Sequence, residues 1–229
     1  VEALSLPEAE EVFVKPLHGT GGIGAQAYRV DGIERLEALA ATLREEAGAR
    51  HEWLAQDRLR SHPDLRDVTL NALSTVRVYT ILDENGRAEV VSTSLKLATA
   101  SEAIVDNGAG TGIHVGIDFE TGRLKVGAGR GDLIKHSANP VNGVAFEGRE
   151  MPRFREMVEI ALRAHDEAFP DYTYAGWDLA ATADGVFLIE GNPKASMVAA
   201  QRWFLRVMGP ERFNDLVRLN MARVPKARR

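Results

Sequence analysis

The fold is decided by residues 176–193, which read Gly-Trp-Asp-Leu-Ala-Ala-Thr-Ala-Asp-Gly-Val-Phe-Leu-Ile-Glu-Gly-Asn-Pro. The centre, Ala183-Asp-Gly185, predicts a tight turn between two short apolar-rich strands. The turn is the midpoint between Asp178 and Glu190, so the register places these carboxylates opposite each other. Asn192 follows two residues later and falls on the same face. The hairpin therefore collects three oxygen-bearing side chains on one face.

The two facing acids predict a metal site, because like charges directly opposite on a sheet destabilise it. A hard divalent cation such as Mg²⁺ takes carboxylate and amide oxygens and would remove the repulsion. The alternative is that both acids are solvated or that one is protonated. The other face is predicted to pack into the core, and it carries Trp177, Leu179, Ala181, Phe187 and Ile189.

A second motif lies near the start of the chain, where an apolar strand ends at Lys15 and a glycine-rich loop, Gly19-Thr-Gly-Gly-Ile-Gly24, follows. A Rossmann site requires a helix after the glycines, but residues 26–30 alternate like a strand. Phosphate-loop enzymes require Lys followed by Ser or Thr after the last glycine, and this chain has Ala25-Gln26 at that point. Strand, glycine loop and strand favour a flexible cover over nucleotide phosphates. An ordinary glycine-rich hairpin with an exposed Lys15 is the alternative.

Composition limits the functional class. The chain has 229 residues, a formal net charge of −5 and no cysteine. The length suffices for a substantial core, and the missing cysteines exclude disulfides and cysteine-ligated zinc. There is no basic stripe for nucleic acid and no apolar run of the roughly 18 to 20 residues that span a membrane. We therefore expect a cytoplasmic globular enzyme with neither nucleic-acid partner nor membrane span.

Periodicity predicts an α+β protein with mainly antiparallel sheets. The predicted strands are a hairpin over 12–30 and strands 53–56, 75–82, 88–96, 113–119 and 124–128, followed by the hairpin of 176–193. The predicted helices are 33–47, 154–169, 197–208 and 210–223. We expect two lobes, a small glycine-loop lid lobe over 1–57 and a large lobe over 58–229, with the active site in the cleft between them.

Together these motifs resemble the ATP-grasp superfamily. The matching segments, in order, are Phe13-Val-Lys-Pro16 with the glycine loop, Leu54-Ala-Gln-Asp-Arg-Leu59, Ser74-Thr-Val-Arg-Val78, Asp178, and Glu190-Gly-Asn192. More narrowly, the chain is similar to the sugar-transfer-associated branch. The segments that carry this likeness are His62-Pro63, Thr75-Val-Arg-Val-Tyr-Thr80, Gly116-Ile-Asp118 with Thr121-Gly-Arg-Leu124, and Gly176-Trp-Asp178. The resemblance covers most of the chain.

The resemblance implies a role for each matched position. The residues that would contact the nucleotide are Lys15, Gly19, Thr20, Gly21, Gly22 and Gly24 at the phosphates, Gln56, Asp57 and Leu59 at the adenine edge, and Asn107. Arg77 and Lys96 would be the catalytic cations near the transferred phosphate. Asp178, Glu190 and Asn192 would hold one or two Mg²⁺, with Mn²⁺ as an alternative. Lys194 and Ser196 would meet the acceptor.

The implied activity is a Mg²⁺- and ATP-dependent ligase. ATP would phosphorylate a carboxylate, and an amine or another nucleophile would displace phosphate from the acyl phosphate. A kinase acting on a hydroxyl and a non-catalytic ATP-binding module remain alternatives, and the branch name associates the chain with polysaccharide biosynthesis. ATP-grasp enzymes carry a further domain before the lid that this sequence lacks, so we expect a fragment or a protein that has lost that domain.

Overall fold

The computed structural model describes residues 11–18, 21–30, 32–47, 52–106, 112–129, 134–196 and 210–223. Two antiparallel sheets organise this part of the chain, one of three strands and one of seven. The predicted helix at 197–208 lies outside the described residues. The predicted α+β class with antiparallel sheets is confirmed.

The smaller sheet has the strand order β2–β1–β3. Its strands are β1 (Glu11–Pro16), β2 (Gln26–Arg29) and β3 (Trp53–Asp57). Helix α1 (Ile33–Ala47) has the bounds that periodicity predicts. The alternating residues Val12 and Val14 are fully buried in a cluster with Leu43 of this helix. One face of β1 is therefore core, which leaves the other face for the side chains of Phe13 and Lys15.

The larger sheet has the order β10–β9–β4–β5–β6–β7–β8. Its strands are β4 (Val76–Leu82), β5 (Ala88–Leu97), β6 (Ile113–Ile117), β7 (Leu124–Gly129), β8 (Lys135–His136), β9 (Tyr174–Ala181) and β10 (Val186–Asn192). All the predicted strands of this sheet are present within two residues of their expected ends. The two-residue strand β8 is an addition that the sequence pattern does not predict.

Helices cover the larger sheet unequally. Helix α3 (Phe154–Ala168) packs on one face and forms the main core with the alternating apolar residues of β4, β5 and β9. Between β3 and β4 lie a 3₁₀ turn (Pro63–Leu65) and the one-turn helix α2 (Arg66–Thr69). Helix α4 (Pro210–Arg223) packs on the opposite face around Tyr79, Ile81 and Val91. Among the described helices, none covers the remainder of that second face, where the predicted site residues lie.

The apolar face of the final hairpin is only partly as predicted. Trp177, Leu179 and Ala181 are buried, but Phe187 and Ile189 are 39% and 38% exposed. One reason is that β10 is the edge strand and has a neighbour on one side only. In addition, Phe187 pairs with Ala180, so its side chain lies on the face opposite Trp177, contrary to the prediction. A bulge between Leu188 and Glu190 also shifts the register there. Bulges of this kind are common at sheet edges.

A buried histidine ties α3 to the sheet. His165 Nε2 lies 2.8 Å from the carbonyl oxygen of Tyr172, which can only accept, so Nε2 carries the proton. His165 Nδ1 then accepts from the hydroxyl of Thr80 at 2.6 Å, and Trp177 Nε1 donates to the same hydroxyl oxygen at 2.9 Å. Burial lowers the pKa of His165 against the raising effects of the Tyr172 bond and of Asp166. The imidazole is therefore neutral in the folded protein.

None of the helices in the described part of the chain is both long and apolar enough to cross a membrane.

The His165 network predicts an acid-dependent loss of stability. Above the ordinary histidine pKa of 6.5 both folded and unfolded states are neutral at this position. As the pH falls through that value the unfolded chain binds a proton that the folded chain does not, so the free energy of unfolding decreases. In His165→Gln, which keeps an N–H donor without the titration, urea unfolding between about pH 8 and pH 5 should show a smaller decrease. Identical pH profiles for the two proteins would contradict this account.

Candidate functional site

A row of polar side chains crosses four strands on the less covered face of the larger sheet. Glu190 pairs with Asp178, Asp178 pairs with Arg77, and Arg77 pairs with Ser94. Directly paired residues in an antiparallel sheet project to the same face, so these side chains are neighbours. Lys96 is two residues beyond Ser94 on β5 and shares the face. Asp178 and Glu190 face each other as predicted, but the register next to the turn differs by one residue, with Val186 opposite Ala181. The bulge between Leu188 and Glu190 then brings Glu190 opposite Asp178.

Asp178 is held by two cations. Arg77 binds it with two hydrogen bonds, Nε to Oδ1 at 2.5 Å and Nη2 to Oδ2 at 2.8 Å, and Lys96 Nζ lies 3.1 Å from Oδ2. The residue is only 4% exposed. Burial alone would raise the pKa of Asp178, but the Arg77 hydrogen bond and the charge of Lys96 outweigh it and lower the pKa. The carboxylate is therefore ionised.

Arg77 and Lys96 remove the reason for which the sequence predicts a metal. The repulsion between Asp178 and Glu190 is relieved by Arg77 and Lys96, which come from the neighbouring strands β4 and β5. Arg77, which the strand pattern taken alone would place on the surface, has a side chain only 16% exposed. A metal is thus not required to make the hairpin stable, and the case for one rests on the available oxygen ligands.

Glu190 and Asn192 supply such ligands. Within the described part of the chain no hydrogen bond or ion pair involves the Glu190 carboxylate, and this residue is exposed. Asn192 lies on the same face and is half-buried. No group of three or more histidine, cysteine, aspartate or glutamate residues that could hold a metal is present among the described residues. Since Mg²⁺ takes few protein ligands and completes its shell with water and phosphate, Asp178, Glu190 and Asn192 fit this ion.

Asp106 joins the network and is not predicted by the sequence motifs. Lys96 Nζ lies 3.6 Å from Asp106 Oδ1. Asp106 Oδ2 accepts from the backbone N–H of Thr75 at 2.7 Å and from its hydroxyl at 2.6 Å. Burial raises the pKa of Asp106, while Lys96 opposes the rise. The local sequence gives no signal for this burial, because an acid before Asn107-Gly108 is typical of an exposed turn.

The glycine loop meets this network. Gly21, Gly22 and Gly24 have positive φ angles of 64°, 74° and 79°, which side chains disfavour. A Cβ on Gly22 would lie 2.7 Å from Val105 Cγ2, so the loop packs closely on the residue before Asp106. Gly19 and Thr20 lie outside the described residues. The loop therefore packs on the segment that ends at Asp106.

The remaining predicted nucleotide contacts divide between the two faces of the smaller sheet. Phe13 pairs with Gln56 and Lys15 pairs with Leu54, so Lys15 and Gln56 share the face opposite the α1 core. Asp57 pairs with Val12, which places its side chain on the other face. Leu59 is half-buried beyond the end of β3, and Asn107 lies outside the described residues.

Known proteins are similar to this chain in sequence and in fold. The sequence model of one family, described as sugar-transfer associated ATP-grasp, matches residues 2–203. The chain belongs to this family. Membership supports an ATP-dependent enzyme, with ATP as the nucleotide. A comparison with curated proteins finds no match to this chain.

Several solved structures are similar to this ATP-grasp chain. D-alanine–D-alanine ligase from Bacillus anthracis is 13% identical, with a TM-score of 0.45, covering 93% of this chain and 55% of that one. The ATP-grasp ligase PsnB complexed with minimal precursor, Mg and ADP is 17% identical, with a TM-score of 0.43, covering 94% of this chain and 48% of that one. The chain spans about half the length of the solved structures that it matches.

In this ATP-grasp chain the segment after β10 folds back over Arg77. The hydroxyl of Tyr79 donates to the carbonyl oxygen of Ser196 at 2.7 Å, and the Arg77 guanidinium lies 5.5 Å from the Tyr79 ring centroid. A Cβ on Gly176 would lie 2.5 Å from the Cβ of Ala195 and 3.3 Å from Arg77 Cδ. Only glycine at position 176 permits this approach, which brings residues 193–196 next to the ion pair.

The burial of the ion pair predicts a large and non-additive effect on stability. Asp178→Asn should lower the free energy of unfolding by on the order of 3 kcal/mol, because two buried cations lose their shared anion. Arg77→Gln should cost less, since Lys96 remains beside Asp178. The double variant should cost less than the sum of the two. Denaturant unfolding measures all three.

The matched control is the exposed Asp67–Arg149 pair, whose contacts of 2.7 Å are as short. Because solvent screens it, Asp67→Asn should cost less than about 1 kcal/mol. Equal losses of stability in Asp67→Asn and Asp178→Asn would contradict this account of the buried network. Strictly additive effects of the Arg77 and Asp178 substitutions would contradict it as well.

Proposed function

We propose that this chain is the nucleotide-binding and catalytic part of a Mg²⁺- and ATP-dependent ligase that joins a carboxylate to an amine or another nucleophile. The observation that carries the proposal is the polar row across the sheet. The row places Glu190, Asp178 and Arg77 side by side, with Lys96 on the same face. Oxygen ligands for a metal and cations for phosphate thus lie together on one face of the sheet.

The proposed reaction has two steps. A carboxylate oxygen of the first substrate forms a bond to the γ-phosphorus of ATP as the bond to the bridging oxygen breaks, and ADP leaves. The amine nitrogen then bonds to the acyl carbon, inorganic phosphate leaves, and the nitrogen loses a proton. In the first step charge develops on phosphate oxygens, and in the second on the acyl oxygen and the leaving phosphate, so fixed cations and positioning provide most of the catalysis.

Each element of the site has a proposed part in this reaction. Arg77 and Lys96 stabilise charge on the transferred phosphoryl group. The metal ligands are Asp178, Glu190 and Asn192, and bound Mg²⁺, or Mn²⁺ in its place, supplies neutralisation of the phosphate charge. The nucleotide contacts are Lys15, the loop of residues 19–24, Gln56, Asp57, Leu59 and Asn107. The lid lobe is residues 1–57 and the large lobe is residues 58–229.

The acceptor is proposed to bind beside residues 193–196. This segment carries Lys194 and packs over Gly176 next to Arg77, so a substrate there would be adjacent to the transferred phosphate. The family description, sugar-transfer associated, favours acceptors from cell-surface polysaccharide biosynthesis. A hydroxyl acceptor would give ADP and a phosphorylated acceptor, whereas ligation gives ADP and free phosphate, so product analysis distinguishes this kinase reaction from ligation.

One observation favours a second candidate, a nucleotide-binding module that needs no metal. Both carboxylate oxygens of Asp178 already contact cations, Oδ1 with Arg77 and Oδ2 with Arg77 and Lys96. A carboxylate has about four lone-pair sites, so Asp178 retains capacity for a metal, but the metal must bind close to two positive charges. The dependence of nucleotide binding on Mg²⁺ separates the two candidates.

The test is thermal unfolding of the chain with ATP, in Mg²⁺ and in chelator, beside Glu190→Gln. ATP at 100 times its Kd should add about 2.7 kcal/mol of stability in Mg²⁺, and much less in chelator. Glu190→Gln should lose the Mg²⁺-dependent part and keep the unliganded stability, because Glu190 has no partner in the described structure. Glu147→Gln, another exposed acid without a described partner, is the matched control and should behave as wild type.

A stabilisation that survives in chelator and in Glu190→Gln would contradict the metal site and favour the metal-independent module. No stabilisation by ATP in any condition would contradict the nucleotide site of this chain. With nucleotide binding established, ADP and free phosphate released only in the presence of both an acid and an amine would identify ligation.

A further inference from the structure

Lys96 is shared between two buried carboxylates. Its ammonium lies 3.1 Å from Asp178 Oδ2 and 3.6 Å from Asp106 Oδ1. Lys96 is 7% exposed and Asp106 is 6% exposed, so water screens these contacts poorly. A lysine ammonium has three donors and no acceptor, and it can serve both acids at once. With Arg77 the group contains two positive and two negative charges.

The two acids differ in what else they can bind. Asp178 faces Glu190 across the hairpin, on the open side of the row. Asp106 is directed into the protein, where the backbone N–H and the hydroxyl of Thr75 both bind Oδ2 and leave Oδ1 for Lys96. The backbone around Asp106 is also closely packed, since a Cβ on Gly112 would lie 2.5 Å from its carbonyl oxygen. Both oxygens of Asp106 are therefore engaged by fixed groups of the protein, whereas Asp178, which is equally buried, lies opposite the exposed Glu190.

A metal ion at Asp178 would change the electrostatic attraction between Lys96 and its two carboxylates. The metal competes for the carboxylate oxygens and repels the ammonium, so Lys96 loses much of its attraction to Asp178. A buried ammonium without a counter-ion is strongly disfavoured. Asp106 is the one other acid that the described structure records in an ion pair with Lys96.

We propose, on the basis of the proposed function, that Asp106 is a positioning residue that retains Lys96 in the site and thereby frees Asp178 for the metal. Without the Asp106 charge the whole attraction of Lys96 falls on Asp178, and Mg²⁺ must displace it. Asp106 therefore increases the affinity for Mg²⁺ through Lys96, although it is not itself a metal ligand.

The experiment is a double-mutant cycle of wild type, Asp106→Asn, Lys96→Met and the double variant. The readout is the Mg²⁺ concentration that gives half-maximal binding of a non-hydrolysable ATP analogue by titration calorimetry, together with analogue affinity in chelator. Asp106→Asn should raise the required Mg²⁺ concentration about tenfold. Affinity in chelator should not fall, because removing a negative charge does not repel an anionic nucleotide.

In the Lys96→Met background the same substitution should have a much smaller effect, because the ammonium through which Asp106 acts is absent. An equal effect of Asp106→Asn in both backgrounds would overturn the proposal, since it would show that Asp106 acts without Lys96. Equal weakening of binding in Mg²⁺ and in chelator would also overturn it, since this is the result of a merely structural role.

A check of folding and a second variant make the test decisive. Asn can still accept both Thr75 hydrogen bonds, so Asp106→Asn should fold, and a cooperative thermal transition verifies this. If it does not fold, Thr75→Val removes one anchor of the carboxylate and should raise the Mg²⁺ requirement in the same direction but less. Failure of wild type to bind the analogue would contradict the proposed function, whereas binding by wild type with an additive cycle would contradict only the role of Asp106.

Discussion

The ion pair between Arg77 and Asp178 is the interaction on which the candidate site depends. It links the adjacent strands β4 and β9, and it lowers the pKa of Asp178, which burial alone would raise. Because buried ion pairs contribute little net stability compared with apolar packing, retention of this one is better explained by function. Arg77 and Lys96 are cations that can bind phosphate, while Asp178 is an anion that can bind a metal.

The second constraint is the contact between the glycine loop and the segment that carries Asp106. The loop of residues 21–24 packs through Gly22 against Val105, and the next residue is Asp106, which binds Lys96. The segment after β10 packs on the other side of the network through Ser196 and Ala195. Parts of the chain far apart in sequence therefore converge on a few buried charges, which suits a site that must surround the phosphates of a nucleotide.

The sequence predicts what local rules determine. The hairpin around the turn at Ala183-Asp-Gly185 could be derived from spacing alone, whereas the pairing of Asp178 with Glu190 also needs the bulge after Leu188, because Val186 pairs with Ala181 next to the turn. The exposure of Phe187 and Ile189 could not be derived from spacing, because it depends on the strand order and on a bulge. The Arg77 and Asp106 contacts escape local reasoning as well: Asp178 lies 101 residues from Arg77, and Thr75 lies 31 residues from Asp106. Only the order of the sheet brings these charges together.

The most direct test of the central claim is a crystal structure of the chain with Mg²⁺ and a non-hydrolysable ATP analogue. The account predicts a Mg²⁺ ion about 2.1 Å from oxygen atoms of Asp178 and Glu190, with the phosphates beside Arg77 and Lys96. It also predicts that Lys96 stays within ion-pair distance of Asp106. A complex in which Asp178 binds only Arg77 and Lys96 while the metal and phosphates lie elsewhere would contradict the account.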